Sequence, residues 1–258
     1  MRSHISFSEM KIWDECPFKH KLVYKDKVKQ FLGNEYTAFG TAIHHVCEQV
    51  VLDDSIDMLS EFNSKFLEEL KLLTEKKVEL KKDLISQMRP QGENLLKFIL
   101  PALKKNFDGF EVISVEEDLL LPIEGSKLLF KGFIDLVIKT NDGKYHVIDW
   151  KTCSWGWDSK KKADRITNYQ LTLYKKFFAL KHDIEPENIE THFALLKRTA
   201  KTNNVEIFRV TSGPKKTDNA LNLLNKAVYN ITKGNHIKNR LSCTSRFGCE
   251  FYRTEYCR

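Results

Sequence analysis

Residues 131–152 read KGFIDLVIKTNDGKYHVIDWKT. Two apolar, β-branched runs flank Asn141, Asp142 and Gly143, residues that tolerate the positive φ of a tight turn, so the stretch predicts a β-hairpin. Each run carries one aspartate. Asp135 interrupts the first strand, Asp149 the second, and Lys151 follows Asp149 by two positions. Residues i and i+2 of a strand share a face, which places the Asp149 carboxylate and the Lys151 ammonium on the same side. Paired acids with a lysine on adjacent strands suggest a metal-dependent hydrolase.

The chain has 258 residues, 41% hydrophobic and 30% charged, enough for one good core. We expect a single domain over residues 1–258 with an embellishment. Forty-two Lys and Arg against 35 Asp and Glu give a net charge of +7, which permits a polyanionic partner without requiring one. No basic-then-apolar leader and no apolar run long enough for a membrane span occurs, so the expectation is a cytoplasmic, reducing compartment with no membrane association. There, clustered cysteines are more often metal ligands than disulfides.

Upstream of the hairpin, Ser6 and Glu9 fit a capping box for a short helix that Pro17 stops at Cys16. Taken alone, Cys16 reads as a small buried residue packing on Trp13. Gly40 and Thr41 can start a helix with Ile43, Val46 and Val50 inward and His44 and Glu48 at i, i+4 spacing. A lone histidine on a helix is usually structural. Residues 55–108 turn to Leu, Lys and Glu with helical periodicity, an all-helical insertion that Pro90 and Gly92 are expected to break. Its lysines read as a solvated face.

Residues from about 110 form a strand leading into the hairpin, giving a three-stranded antiparallel meander; of Glu116 and Glu117, only one can face inward with the aspartates. After Thr152, Trp155, Trp157 and Lys160, Lys161 and Lys162 suit base stacking and phosphate contacts, or equally a loop packed on the core. In the following helix Gln170 and Tyr174 share a face. A second hairpin turns at Asn203 and Asn204. In the tail, 240–258, Cys243, Cys249 and Cys257 read either as unrelated thiols or as a metal or iron–sulfur clamp needing a fourth thiolate, for which Cys16 is the candidate.

Taken together, FSEMKIWDECPFKHKLVY, FGTAIHHVCE, KGFIDLV, VIDWKT and NYQLTLY, in this order, resemble the PD-(D/E)xK nuclease superfamily and its RecB-like exonuclease branch. That resemblance implies an α/β fold: a central mixed sheet of about five strands flanked by helices, the restriction-endonuclease-like core, with the helical insertion added. It implies that Asp135 and Asp149 bind Mg²⁺ or Mn²⁺, with His44 and the Trp150 backbone carbonyl as further ligands, and that Lys151, Gln170 and Tyr174 complete the catalytic set; Glu116, from its place on the preceding strand, is added as an accessory ligand. The implied function is a metal-dependent DNA exonuclease acting on DNA ends or single strands in recombination, repair or replication. The alternatives are a structure-specific endonuclease, or a non-catalytic DNA-end-binding module serving a helicase or recombinase. No GxxxxGK[ST] phosphate loop occurs, so any unwinding falls to such a partner. Iron–sulfur members of the branch, similar to AddB and CRISPR-associated nucleases, imply a [4Fe–4S] cluster on Cys16, Cys243, Cys249 and Cys257, with Zn²⁺ as the alternative. The C-x5-C-x7-C spacing here departs from the branch's C-x2-C-x5-C.

Overall fold

A computed structural model of the chain describes residues 3–28, 31–244 and 248–258; residues 245–247 of the expected cysteine clamp lie outside the described residues. In chain order the elements are β1 (His4–Ser6), α1 (Phe7–Glu15), α2 (Pro17–His20) running into a π-helical turn (Lys21–Lys25), α3 (Glu35–Leu52), α4 (Met58–Glu75), α5 (Lys82–Leu96), α6 (Ile99–Asn106), β2 (Phe110–Pro122), β3 (Leu129–Thr140), β4 (Tyr145–Cys153), α7 (Ser159–Lys162), α8 (Arg165–His182), β5 (Ile189–Lys197), β6 (Val205–Arg209), α9 (Pro214–Lys233) and α10 (Arg240–Cys243). The strands form one mixed six-stranded sheet in the order β1-β3-β4-β5-β6, with β2 pairing on β3. This is the expected α/β architecture with one strand more than expected. No helix among the described residues is long and apolar enough to cross a membrane.

Two compact units divide the chain: Met1–Phe31, Asp118–Gly132 and Gly213–Arg258 form the smaller, and Leu32–Glu117 and Phe133–Ser212 the larger. The larger is built on the predicted hairpin. Its turn is closed by Gly143 N–H donating to the Thr140 carbonyl (2.9 Å), with Gly143 at φ +82°, the left-handed conformation that glycine adopts without a Cβ penalty. From there β3 and β4 pair antiparallel, Lys139↔Tyr145 to Leu136↔Ile148. On its other edge β4 pairs in parallel with β5, Tyr145↔Ile189 to Cys153↔Lys197. A parallel pair needs a long crossover, and α7 and α8 supply it. Strand β4 is therefore interior, buried continuously from His146 to Trp150, so the charged Asp149 within it calls for a functional reason.

Helices α3 to α6 cover one side of this unit, with Phe39, Phe62 and Phe66 packed in mutual aromatic contact between α3 and α4. Two expectations fail here. Helix α3 begins at Glu35, not at Gly40, because Asn34 and Thr37 form a reciprocal capping box a full turn earlier. Helix α5 runs through Pro90 and Gly92 without breaking. A Cβ at Gly92 would stand 2.2 Å from the Phe62 ring, so glycine is there to let α5 approach α4, and burial of that seam outweighs the hydrogen bond proline removes.

In the smaller unit β1 pairs in parallel with the start of β3, His4↔Leu129 to Ser6↔Lys131. Ser6 Oγ caps α1 by accepting the Glu9 N–H at 3.2 Å, while the buried Glu9 carboxylate is engaged by His20 Nε2. Cys16 adopts an extended backbone before Pro17, the conformation proline imposes on its predecessor, and this ends α1.

Candidate active site

Pairing between β3 and β4 stops at Leu136↔Ile148, one step before the two aspartates. There the Trp150 N–H donates to Asp135 Oδ2 at 2.6 Å, so a carboxylate takes the place of a ladder carbonyl. Asp149, 1% exposed, accepts on Oδ1 from Gln170 Nε2 of α8 at 2.8 Å. Its Oδ2 lies 2.5 Å from Lys151 Nζ, the contact that i, i+2 spacing on one strand allows. Gln170 Nε2 also reaches the Tyr174 hydroxyl at 3.2 Å, one helical turn further along α8. Expected Asp135, Asp149, Lys151, Gln170 and Tyr174 thus come together.

Helix α3 brings the remaining donors. A Cβ on Gly40 would lie 3.2 Å from Thr152 Oγ1, so glycine lets α3 settle closely on the end of β4. One turn on, His44 Nδ1 stands 3.9 Å from Asp135 Oδ2. Another turn on, Glu48 is hydrogen-bonded to the Glu116 carboxyl, and Gly40, His44, Glu48 and Glu116 line one cleft. Glu116 sits at φ +48°, a conformation unfavourable for a side chain with a Cβ and frequent where function holds the backbone. Glu48 is the residue that sequence reasoning left without a role. Its signal was available in the four-residue spacing Gly40, His44, Glu48 along one helical stripe.

The charges are crowded. Burial pushes the Asp135 carboxyl well above the usual range, and the Asp149 charge adds to it. Burial also raises Asp149, opposed by the Lys151 ammonium. Glu48 is pushed up to about 7 by burial and then by Glu116. Burial, helped by the Lys151 charge, holds His44 down at about 4, leaving a neutral imidazole with a lone pair to offer. Burial raises the Tyr174 hydroxyl, with Asp149 next, so it stays protonated.

Four carboxyl groups, Glu48, Glu116, Asp135 and Asp149, and a neutral imidazole converge here, with Lys151 on Asp149 and Lys65 beside Glu48, a donor set in which acids outnumber cations. Asp149 Oδ2 is buried with no hydrogen-bond partner beyond the Lys151 ammonium. Oxygen-rich donors of this kind fit a hard divalent cation, and the imidazole suits Mn²⁺ as well as Mg²⁺.

The other expected residues are distributed as follows. Trp155 is 77% exposed, whereas the Trp157 ring packs on Phe193 and Phe208. Lys161 lies over the Trp157 ring and donates to Thr167 Oγ1, Lys162 pairs with Glu206, and Lys160 is exposed. In the smaller unit, Cys16, Cys243, Cys249 and Cys257 line one cavity of about 110 Å³ together with Lys19, Lys238, Arg240 and Arg258. Asn239 closes it, its N–H donating to Cys16 Sγ at 3.3 Å and its Nδ2 to the Glu15 carbonyl at 2.9 Å. Cys47 is buried in the larger unit's core and Cys153 is half-buried.

Residues 4–257 match the family model described as the PD-(D/E)XK nuclease superfamily. Among solved structures, a "Putative exonuclease" from Eubacterium rectale aligns over 92% of this chain and 84% of its own, with a TM-score of 0.59 and 14% identity, a likeness of fold. The protein SSO0001 aligns over 89% and 90% of the two chains at 16% identity, but its TM-score of 0.37 is too low to support an argument. A search of curated protein sequences returns no match.

Proposed function

The chain belongs to the PD-(D/E)XK nuclease superfamily, and from that premise we propose that it is a metal-dependent deoxyribonuclease of the RecB-like branch, hydrolysing phosphodiester bonds at DNA ends or in single strands during recombination, repair or replication. The observation that carries this reading is the convergence of His44, Asp135, Asp149, Lys151 and Gln170 at the end of β4. Asp135, Asp149 and His44 would hold Mg²⁺ or Mn²⁺, with Glu116 and the Trp150 carbonyl alongside; when bound, the cation offsets charge on the scissile phosphate and acidifies water.

In hydrolysis the water oxygen forms the new bond to phosphorus, the bond to one sugar oxygen breaks, and the water proton leaves as the sugar oxygen gains one. Lys151 is placed to orient that water and to balance charge that builds on the phosphate oxygens. Gln170 fixes the Asp149 rotamer through Oδ1, which keeps Oδ2 directed at Lys151. Neutral Tyr174 buttresses Gln170. Exposed Trp155 and Lys160 offer a stacking face and a cation to the DNA.

The reading of a [4Fe–4S] cluster in the smaller unit, with Zn²⁺ as the alternative, is supported by the four cysteines lining one cavity. Anaerobically purified protein with iron, inorganic sulfide and a broad visible absorption that is lost in Cys249→Ser supports the cluster; colourless, zinc-bearing protein replaces it with a zinc clamp. For the activity, end-labelled linear DNA and covalently closed circular single-stranded DNA are incubated with Mg²⁺ or Mn²⁺. Loss of label from linear DNA with intact circles supports an exonuclease dependent on ends, for which a helicase or recombinase would act as partner. Cleavage of the circles converts the reading to an endonuclease.

A further inference from the structure

Away from the acidic site, His146 on β4 stands with Glu190 and His192 on β5, and one ligand atom of each lies within 4.8 Å of the others. It is the one such group among the described residues. His146 is three positions from Asp149 and so points to the opposite face of β4. The parallel register sets His146 beside Glu190, with His192 two positions further on the same face. We propose that these three residues form a second cation site, suited to Zn²⁺, that fastens β4 to β5.

The separations suit a single ion. His146 Nδ1 and His192 Nε2 are 3.1 Å apart, and Glu190 Oε2 lies 3.9 and 3.8 Å from them. The point equidistant from the corners of that triangle is about 2.1 Å from each, the length of a zinc bond to histidine nitrogen or carboxylate oxygen. Two histidines and a glutamate are an established zinc donor set.

Surrounding groups aim these atoms inward. His146 Nε2 lies 2.9 Å from Thr140 Oγ1, which donates in turn to Asp142 Oδ1 at 2.6 Å. That chain makes Nε2–H the donor and leaves the Nδ1 lone pair facing the centre, the outer support that metal-binding histidines usually have. The other oxygen of Glu190 is held by Arg209 at 3.1 Å and Lys144 at 3.4 Å, which leaves Oε2 directed at the rings but beyond hydrogen-bond reach of either. Phe107 packs on both imidazoles. Burial keeps both rings below the usual histidine range, His192 at about 3, so both are neutral; without a cation His192 Nε2–H donates to His146 Nδ1 at 3.1 Å, and binding moves that proton to His192 Nδ1, which frees Nε2 to ligate.

Zn²⁺ is titrated into the full chain while the side-chain nitrogens of His146 and His192 are followed by NMR, which separates this site from the thiols and the acidic cleft. Saturation should move His146 Nδ1 and His192 Nε2 together, with His146 fixed as the Nε2–H tautomer. Glu190→Gln, whose Oε2 makes no hydrogen bond to lose, should weaken that transition about tenfold or more. Unchanged histidine signals at saturating Zn²⁺, or the same midpoint in Glu190→Gln, would overturn the proposal and leave a hydrogen-bonded histidine pair.

Discussion

Glu48→Gln should make the cation-free protein more stable at pH 8 and leave it unchanged at pH 4, below the ordinary carboxyl range. Glu48 is raised from 4.5 to about 7 by burial and by Glu116. Between those values the native state holds a proton that the unfolded chain has released, so stability falls as pH rises through this window, and above it the loss is complete. At about 1.36 kcal/mol per pH unit the loss is at most about 3.4 kcal/mol. Glu48 is only half-buried, and solvent screening brings the expectation to about 1–2 kcal/mol. Glutamine has the shape of a protonated glutamate and can donate the same hydrogen bond to Glu116. Urea denaturation in EDTA at the two pH values measures the difference, and repeating it with Mg²⁺ should stabilise the parent more than the variant. A Glu48→Gln protein less stable than its parent at pH 8, or equally stabilised at both pH values, would refute the reasoning that these carboxylates are held together against their own repulsion.

Gly92→Ala should lower stability by about 1–3 kcal/mol in thermal or urea unfolding, since its Cβ would meet the Phe62 ring at 2.2 Å. His44→Ala should weaken Mn²⁺ binding more than Mg²⁺ binding, because only the nitrogen donor is removed; calorimetric titration of both ions checks this. Gln170→Leu should lower kcat with little change in KM, because Gln170 fixes Asp149 through Oδ1 and acts through that carboxylate.

The hairpin that organises the larger unit is legible because Asn-Asp-Gly forces its turn and a period of two fixes its faces. Asp149 and Lys151 follow from that period alone. His44 and Gln170 lie on separate helices, and only the family order of the motifs joined them to the hairpin before the fold did. Elements set by distant contacts were hidden. Strand β1 is three residues long and owes its form to pairing with Leu129–Lys131. Pro90 signals a break that the packing of α5 on Phe62 overrides. Glu48 shares a helical stripe with His44, but its partner Glu116 comes from β2, where it holds a positive φ, and His146, Glu190 and His192 join only through the parallel register of β4 and β5, which no local pattern encodes.

The central claim, that the acids and lysine at the end of β4 form a hydrolytic site, is tested most directly by Mg²⁺- or Mn²⁺-dependent release of nucleotides from end-labelled linear DNA. Parent protein is compared with Asp149→Asn and Lys151→Ala, each shown to be folded by circular dichroism. The account predicts release by the parent and none by either variant; release at the parental rate by either folded variant would contradict it.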